Sequence, residues 1–182
     1  EETQMIKLQT NDGTIVELER KAAKKSALLN RLIKDFGCDQ KIPLNNDEVS
    51  GEHCKLVVEY LHHYKDQKMR TIKEIWKPIK KWEMRKITHK DYWAADFADR
   101  FTEERALELC LFANVVCFFE IKTLEDLIVC KIASYLLKYQ DDNEYLKKLF
   151  NLVDDMTPEQ IKEMEDKEAA MDPMQKLVRD SL

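Results

Sequence analysis

MIKLQTNDGTIVEL, residues 5–18, is the stretch that decides how the fold begins. Apolar and polar residues alternate on both sides of Asn11-Asp12-Gly13, a sequence typical of a tight turn. The stretch therefore predicts a β-hairpin. Downstream, residues 41–44 read Lys-Ile-Pro-Leu, which predicts a third short strand, and its proline favours a sheet edge or the end of a strand.

Helical patterns fill the spaces between and after these strands. Apolar residues recur at helical spacing from Lys21 to Phe36, which predicts one helix that ends at Gly37. Ser50 is placed to cap another helix. Thr102 and Thr123 are expected to cap two long, mostly buried helices. The first carries Leu107, Leu111, Val115 and Phe118 on one stripe, and the second is apolar on two sides.

The last part of the chain has more apolar helical surface than a small α/β unit needs. A shorter helix is expected around Leu146 and Leu149, and a further helix starts at Thr157. There Pro158 and Gln160 complete a capping box. This final helix has only Ile161 and Met164 to bury. The excess of apolar surface indicates a face that is completed by a partner.

Composition excludes several classes of protein. The chain has 182 residues with 44% apolar and 36% charged residues, which is typical of one folded domain with a helical appendage and not of a disordered chain. Its three glycines are far apart, so no phosphate-binding glycine loop exists. No catalytic motif is present, and we expect a protein that is not an enzyme and needs no cofactor.

Cysteine and histidine usage points to neither disulfides nor metal. Five cysteines are an odd number, which favours reduced thiols. His53, Cys54, His62 and His63 lack a spacing that would hold a metal ion, so we expect no metal site. No apolar run reaches the length of a membrane span, and we expect a soluble protein inside the cell that does not contact membranes.

Residues 65–90 form a basic insert with ten Lys and Arg residues against three acidic ones, and Trp76 and Trp82 lie within it. Cations interleaved with aromatic rings are the pattern that binds single-stranded nucleic acid. We favour the interpretation as a solvated loop, because such binders usually carry their aromatic residues on a sheet or in a groove. Nucleic-acid binding through the insert stays open as an alternative function.

The order of elements resembles the S-phase kinase-associated protein family, the adaptors of SCF ubiquitin ligases. The resemblance covers nearly the whole chain. It rests on the following segments: Ile6-Lys7-Leu8-Gln9, Asp12-Gly13, His62-His63-Tyr64-Lys65-Asp66, Trp93 with Asp96-Phe97, Phe119-Glu120-Ile121-Lys122 with Leu124, Cys130-Lys131, and Phe150-Asn151-Leu152 before Asp155-Met156-Thr157-Pro158-Glu159. It implies an α+β class BTB/POZ fold, with a small three-stranded sheet and helices in residues 1–139 and a helical extension in residues 140–182.

The resemblance also implies two partners and the residues that meet them. A cullin would contact Cys117 and Phe118. An F-box protein would contact the C-terminal helices, through Leu127, Ile132, Leu136, Leu146, Leu149, Phe150, Leu152 and Ile161. The implied function is to bridge the two partners without catalysis, in the cytoplasm and nucleus. Without an F-box partner, the same surface would form homodimers.

Three departures from the family pattern matter for function. The family usually has asparagine and tyrosine where this chain has Cys117 and Phe118, so an alternative function is a structural subunit that holds an F-box-like protein without a cullin. The family's tail tryptophan is replaced near Ala170. The family's insert is often acidic, whereas residues 65–90 are basic here.

Overall fold

The computed structural model describes residues 4–67, 72, 79–89, 91–153 and 155–169. Its three strands form one sheet in the order β2-β1-β3. Strands β1 (Met5–Gln9) and β2 (Ile15–Glu19) pair in antiparallel fashion, with Gln9 opposite Ile15. Strand β3 (Lys41–Pro43) lies parallel to β1 at the sheet edge, as its proline predicted. The α+β class and the hairpin are confirmed.

The hairpin turn is tied to the helix that follows the sheet. Gly13 has a positive φ of 82°, a conformation that glycine adopts without strain. The Asp12 carboxylate accepts hydrogen bonds from the Thr14 and Gly51 backbone amides, at 2.9 and 2.7 Å. A Cβ on Gly51 would lie only 2.4 Å from Oγ1 of Thr14, so this position needs glycine.

Nine helices surround the sheet in the part of the chain that the structure describes, together with a 3₁₀ turn at Glu103–Arg105. They are α1 (Arg20–Ala23), α2 (Ala27–Phe36), α3 (Gly51–Tyr64), α4 (Met84–Ile87), α5 (Tyr92–Asp99), α6 (Ala106–Phe119), α7 (Lys122–Lys138), α8 (Asn143–Leu149) and α9 (Pro158–Ala169). The core lies between the inner face of the sheet and helices α3, α5, α6 and α7.

The helix predicted from Lys21 to Phe36 is in fact two helices. The chain breaks after Ala23, and α2 starts again behind Ser26, whose hydroxyl oxygen accepts a hydrogen bond from the Leu29 amide. The same buried hydroxyl donates to the Phe119 carbonyl at 2.5 Å. The single-helix prediction is wrong because this long-range hydrogen bond stabilises a break that no local glycine or proline announces.

Replacing Ser26 by alanine should lower the free energy of unfolding by about 1–3 kcal/mol, because it removes an N-cap and leaves the Phe119 carbonyl without this donor. Ser50→Ala is the matched control, since the Ser50 hydroxyl caps α3 by accepting from the His53 amide at 3.2 Å. That variant should cost about 1 kcal/mol. Urea unfolding measures both variants, and equal losses would contradict the structural role of the hydrogen bond to Phe119.

Two further caps and one buried face differ from the sequence expectations. Thr102 and Thr123 make no side-chain cap; α6 begins only after the 3₁₀ turn, and α7 begins at Lys122. Leu107 and Leu111 are exposed, contrary to the predicted stripe, while the side chains that α6 buries include Leu109, Phe112 and Val116. Helix α6 is apolar on all sides, so spacing alone cannot decide which side faces the core.

An aromatic cluster joins α3 to α5. The His63 ring stacks on Trp93 with centroids 3.8 Å apart and an interplanar angle of 3°. The Tyr64 hydroxyl donates to the Asp91 carboxylate at 2.8 Å. His53 lies against Phe112, with 5.7 Å between the ring centroids.

In the described part of the chain, no group of three or more His, Cys, Asp or Glu side chains is arranged to hold a metal ion.

Candidate functional site

Helices α7 and α9 and the connection between α8 and α9 carry exposed apolar side chains, which we call the C-terminal surface. Its members are Leu136, Leu152, Val153, Met156, Ile161 and Met164. Among the described side chains of residues 150–167, only that of Phe150 is buried. Several large exposed apolar side chains within one part of the chain are typical of a surface that another protein covers.

The backbone that carries this surface is well specified by the sequence. Thr157 Oγ1 accepts from the Gln160 amide at 3.3 Å, and Gln160 Oε1 accepts from the Thr157 amide at 2.8 Å. This reciprocal pair confirms the capping box that starts α9. Asp142 caps α8 by accepting from the Tyr145 amide at 2.9 Å, a cap that the sequence reasoning did not name.

The residues predicted to contact an F-box fall into three groups. Leu136, Leu152 and Ile161 are exposed on the C-terminal surface. Ile132, Leu146 and Leu149 are half-buried and pack against the core. Leu127 is 2% exposed, and Phe150 is also buried, so neither side chain is accessible to a partner in the structure of this chain alone. For all eight, contact with a partner stays a prediction.

Sequence reasoning missed some of the C-terminal surface. Val153 is 80% exposed, and Met156 is also exposed. Both lie in the connection between α8 and α9. The available signal was two apolar side chains in a short stretch without helical periodicity, where no core face could account for them.

Helix α7 is held to the preceding segment by a ladder of polar contacts. Lys131 Nζ lies 2.8 Å from the Asp99 carboxylate, the Tyr135 hydroxyl donates to the Phe101 carbonyl at 2.5 Å, and Lys138 Nζ lies 2.6 Å from Glu103. Positions 131, 135 and 138 share one face of the helix because of its period of 3.6 residues. Exposed Val129 and Leu136 project elsewhere and remain available.

The predicted cullin pair lies at the other end of the molecule's long helices, at the end of α6. The Cys117 side chain is exposed, and Phe118 is half-buried with its ring edge-on to Phe119 at 5.6 Å. Partial removal of the thiol from water, together with nearby Glu125, raises the pKa of Cys117. The thiol is therefore protonated at neutral pH, which favours a packing role over a nucleophilic one.

The turn after this pair is fixed by long-range contacts. Glu120 has a positive φ of 52°, and its carboxylate accepts two hydrogen bonds from the Arg31 guanidinium, at 2.8 and 2.5 Å. This pairing lowers the pKa of Glu120 and raises that of Arg31. Helix α2 thus sets the position of Cys117 and Phe118 through Arg31 and, as described above, through Ser26.

The described part of the basic insert packs onto the domain. Helix α4 buries Met84 and Ile87 and lies against α5 and α7. Trp82 is exposed, with Lys138 Nζ 5.4 Å from its ring centroid. A cleft of about 660 Å³ lies between this segment and α7. Trp76, and the tail position near Ala170, lie outside the described residues.

No helix in the described residues combines the length and apolar character needed to cross a bilayer. The two candidate surfaces, the C-terminal surface and the Cys117–Phe118 pair, belong to separate parts of the fold.

Comparison with known proteins identifies the family. The family model described as "Skp1 family, tetramerisation domain" matches residues 4–66. The chain is 32% identical to the "S-phase kinase-associated protein 1 homolog" of Tetrahymena thermophila over 155 residues, which is 85% of this chain and 86% of the relative. It is 30% identical to the "E3 ubiquitin ligase complex SCF subunit sconC" of Arthroderma benhamiae over 158 residues, or 87% and 89% of the two chains. A sconC protein of Talaromyces stipitatus is also 30% identical, over 85% of this chain and 89% of its own. This chain, with its hairpin, edge strand and paired long helices, therefore belongs to the Skp1 family.

Proposed function

We propose that this chain is a non-catalytic adaptor of an SCF-type E3 ubiquitin ligase. It binds an F-box protein through the C-terminal surface and bridges it to a cullin. The observation that carries the proposal is the C-terminal surface itself, whose large apolar side chains are exposed in the structure of this chain alone. The names of the relatives, which include SCF ligase subunits, support the same role.

In the proposed mechanism, the chain holds an F-box protein and a cullin in one complex. An F-box protein bound at α7 to α9 and a cullin bound at the end of α6 would occupy separate surfaces, so both can be held at once. The rigid packing of α6 against α7 fixes the distance between them. A substrate held by the F-box protein is thereby kept near the catalytic end of the ligase, and the adaptor needs no reactive group of its own.

A second candidate function is a structural subunit that holds an F-box-like protein without a cullin. The observation that favours it is the chemistry of the cullin pair. The Cys117 thiol is a weak hydrogen-bond donor, and Phe118 has no polar atom. A scaffold that depends on hydrogen bonds at this point would bind this chain weakly.

The experiment that separates these functions is affinity purification of the tagged chain in moderate salt with nuclease present, followed by mass spectrometry. We expect F-box proteins together with a cullin. F-box-like proteins without a cullin would favour the structural subunit, and recovery of neither would refute both. Residence in the cytoplasm and nucleus is part of the proposal, and imaging of the tagged chain tests it.

Two other expectations remain predictions. Homodimers should form at high concentration when the F-box partner is absent, because two copies of the C-terminal surface can cover each other. If the basic insert bound nucleic acid instead, affinity would fall steeply with salt, with about one unit of log-log slope for each phosphate contacted.

Phe118→Ala should weaken cullin binding by about tenfold or more, since truncating an aromatic side chain at an interface typically costs more than 1 kcal/mol. Binding of an F-box domain should not change. Phe36→Ala makes the same chemical change at an exposed phenylalanine at the far end of α2 and serves as the control. Titration calorimetry with a recombinant cullin N-terminal domain and with a recombinant F-box domain measures both. Loss of F-box binding in Phe118→Ala would mean that the two surfaces are misassigned.

A further inference from the structure

The carboxylate of Glu103 lies where the end of α7 meets α8. Its Oε1 accepts from Lys138 Nζ at 2.6 Å and from the Tyr139 hydroxyl at 2.5 Å. Its Oε2 accepts from the Tyr145 hydroxyl at 3.0 Å. The two tyrosine rings lie 4.5 Å apart. One side chain in a 3₁₀ turn thus accepts hydrogen bonds from three residues, two at the end of α7 and one in α8.

This arrangement requires an ionised carboxylate. Three donors converge on it, and a carboxylate offers two acceptor oxygens with room for all of them, whereas an amide offers only one oxygen. The Lys138 ammonium and the tyrosine hydroxyls hold the pKa of Glu103 low, at about 2. The hydrogen bonds from Tyr145 raise the pKa of its own hydroxyl to about 12. At neutral pH the cluster is therefore charge-assisted at every contact.

Helix α8 has few other attachments to the domain. It is seven residues long, and none of its side chains is fully buried. Leu146 and Leu149 pack against the core only in part. A helix this short is not stable by itself, so its orientation depends on tertiary contacts. The Tyr145 hydrogen bond is a charge-assisted contact that joins α8 to the segment before α6.

We infer that Glu103 is a positioning residue for the C-terminal surface: by holding Lys138, Tyr139 and Tyr145 together, it sets the direction in which α8 leaves α7. Residues 152–164 follow α8, so any change in its direction displaces most of the C-terminal surface. Glu103 itself does not contact the F-box protein. The inference rests on the proposed binding of an F-box protein, and it adds the residue that shapes that binding face.

The test compares Glu103→Gln with Glu104→Gln in the full chain. Glu104 is the next residue in the same turn, is exposed, and makes no hydrogen bond or ion pair within the described residues. Two quantities are measured: Kd for a recombinant F-box domain, and hydrogen exchange of the backbone amides of Asn143–Leu149. Glu103→Gln should raise Kd about tenfold, because it weakens hydrogen bonds made to a charged group. It should also speed exchange in α8 while leaving exchange in α3 unchanged.

The measurements test the positioning role of Glu103 separately from the proposed binding of an F-box protein. If Glu103→Gln and Glu104→Gln behave alike in both measurements, the inference is overturned. If Kd rises without faster exchange in α8, Glu103 contacts the partner directly, and the positioning role is also overturned. If the unaltered chain fails to bind the F-box domain, the proposed function fails, while the exchange measurement still tests whether Glu103 holds α8.

Tyr145→Phe supplies a second variant that keeps the ring and removes only the hydroxyl. It should reproduce part of both effects. Combined with Glu103→Gln, it should add little, because both changes remove the same hydrogen bond and such pairs are not additive. Fully additive effects on Kd would show that the two residues act separately, which contradicts the inference.

Discussion

Leu136→Asp should reduce F-box affinity by about 100-fold, or roughly 3 kcal/mol, since it places a carboxylate without a partner in an apolar interface. The side chain is 47% exposed, so the change should leave the fold nearly as stable as before. Leu136 is a better test position than Ile132, where aspartate would also disturb packing against the core.

Leu107→Asp provides a closely matched control. Leu107 is also 47% exposed and also lies on a long helix, but on α6, and it is not a member of the C-terminal surface. Surface plasmon resonance with an immobilised recombinant F-box domain measures both variants, with circular dichroism to verify folding. We expect normal binding by Leu107→Asp. Equal losses in the two variants, or none in Leu136→Asp, would place the binding face elsewhere.

Phe112→Ala should lower the free energy of unfolding by about 3–5 kcal/mol, because it removes a large side chain from the centre of the core and leaves a cavity. Phe112 is 0% exposed. Its ring stacks on Phe101 at 5.2 Å and contacts His53 on α3 at 5.7 Å. It therefore joins α6 to α3 and to the segment that carries the 3₁₀ turn. A typical domain has only about 5–15 kcal/mol of stability, so this loss is severe.

The neighbouring residue supplies the control for this prediction. Leu111 is 50% exposed on a different side of α6, so Leu111→Ala should change the free energy of unfolding by only about 0.5 kcal/mol. Urea unfolding, followed by tryptophan fluorescence and circular dichroism, measures both variants. If Leu111→Ala costs as much as Phe112→Ala, the structure has assigned the wrong face of α6 to the core.

Much of the local structure could be predicted from particular residues. The turn at Asn11-Asp12-Gly13 confines the hairpin to one register, because only glycine adopts the required positive φ without strain. Pro43 cannot donate a hydrogen bond and places β3 at the edge. Ser50 and Thr157 start their helices as predicted. These features depend on groups within a few residues of each other, which sequence patterns report well.

The candidate site was predictable only in part. The excess of apolar helical residues after Thr123 indicated a partner surface, and exposed Leu136, Leu152 and Ile161 agree with that expectation. Leu127 lies on the same helix as Leu136 but is buried. Periodicity places both on α7 without saying which neighbouring helix covers which side. The positions of Val153 and Met156 follow only from the direction in which the chain leaves α8.

The amino-acid sequence by itself determined the secondary structure near its strong local signals, the absence of catalytic motifs, and the presence of an apolar surface beyond what the core needs. Only the tertiary structure decided the break before Ser26, the buried face of α6 and the cluster around Glu103. Each of these depends on groups far apart in the chain: Ser26 bonds to Phe119, α6 packs against α7, and Glu103 meets Tyr145. When a helix is apolar all round, or a polar side chain has several candidate partners, local patterns give equal weight to several arrangements. The free energy of packing and of satisfying buried polar groups then selects one of them.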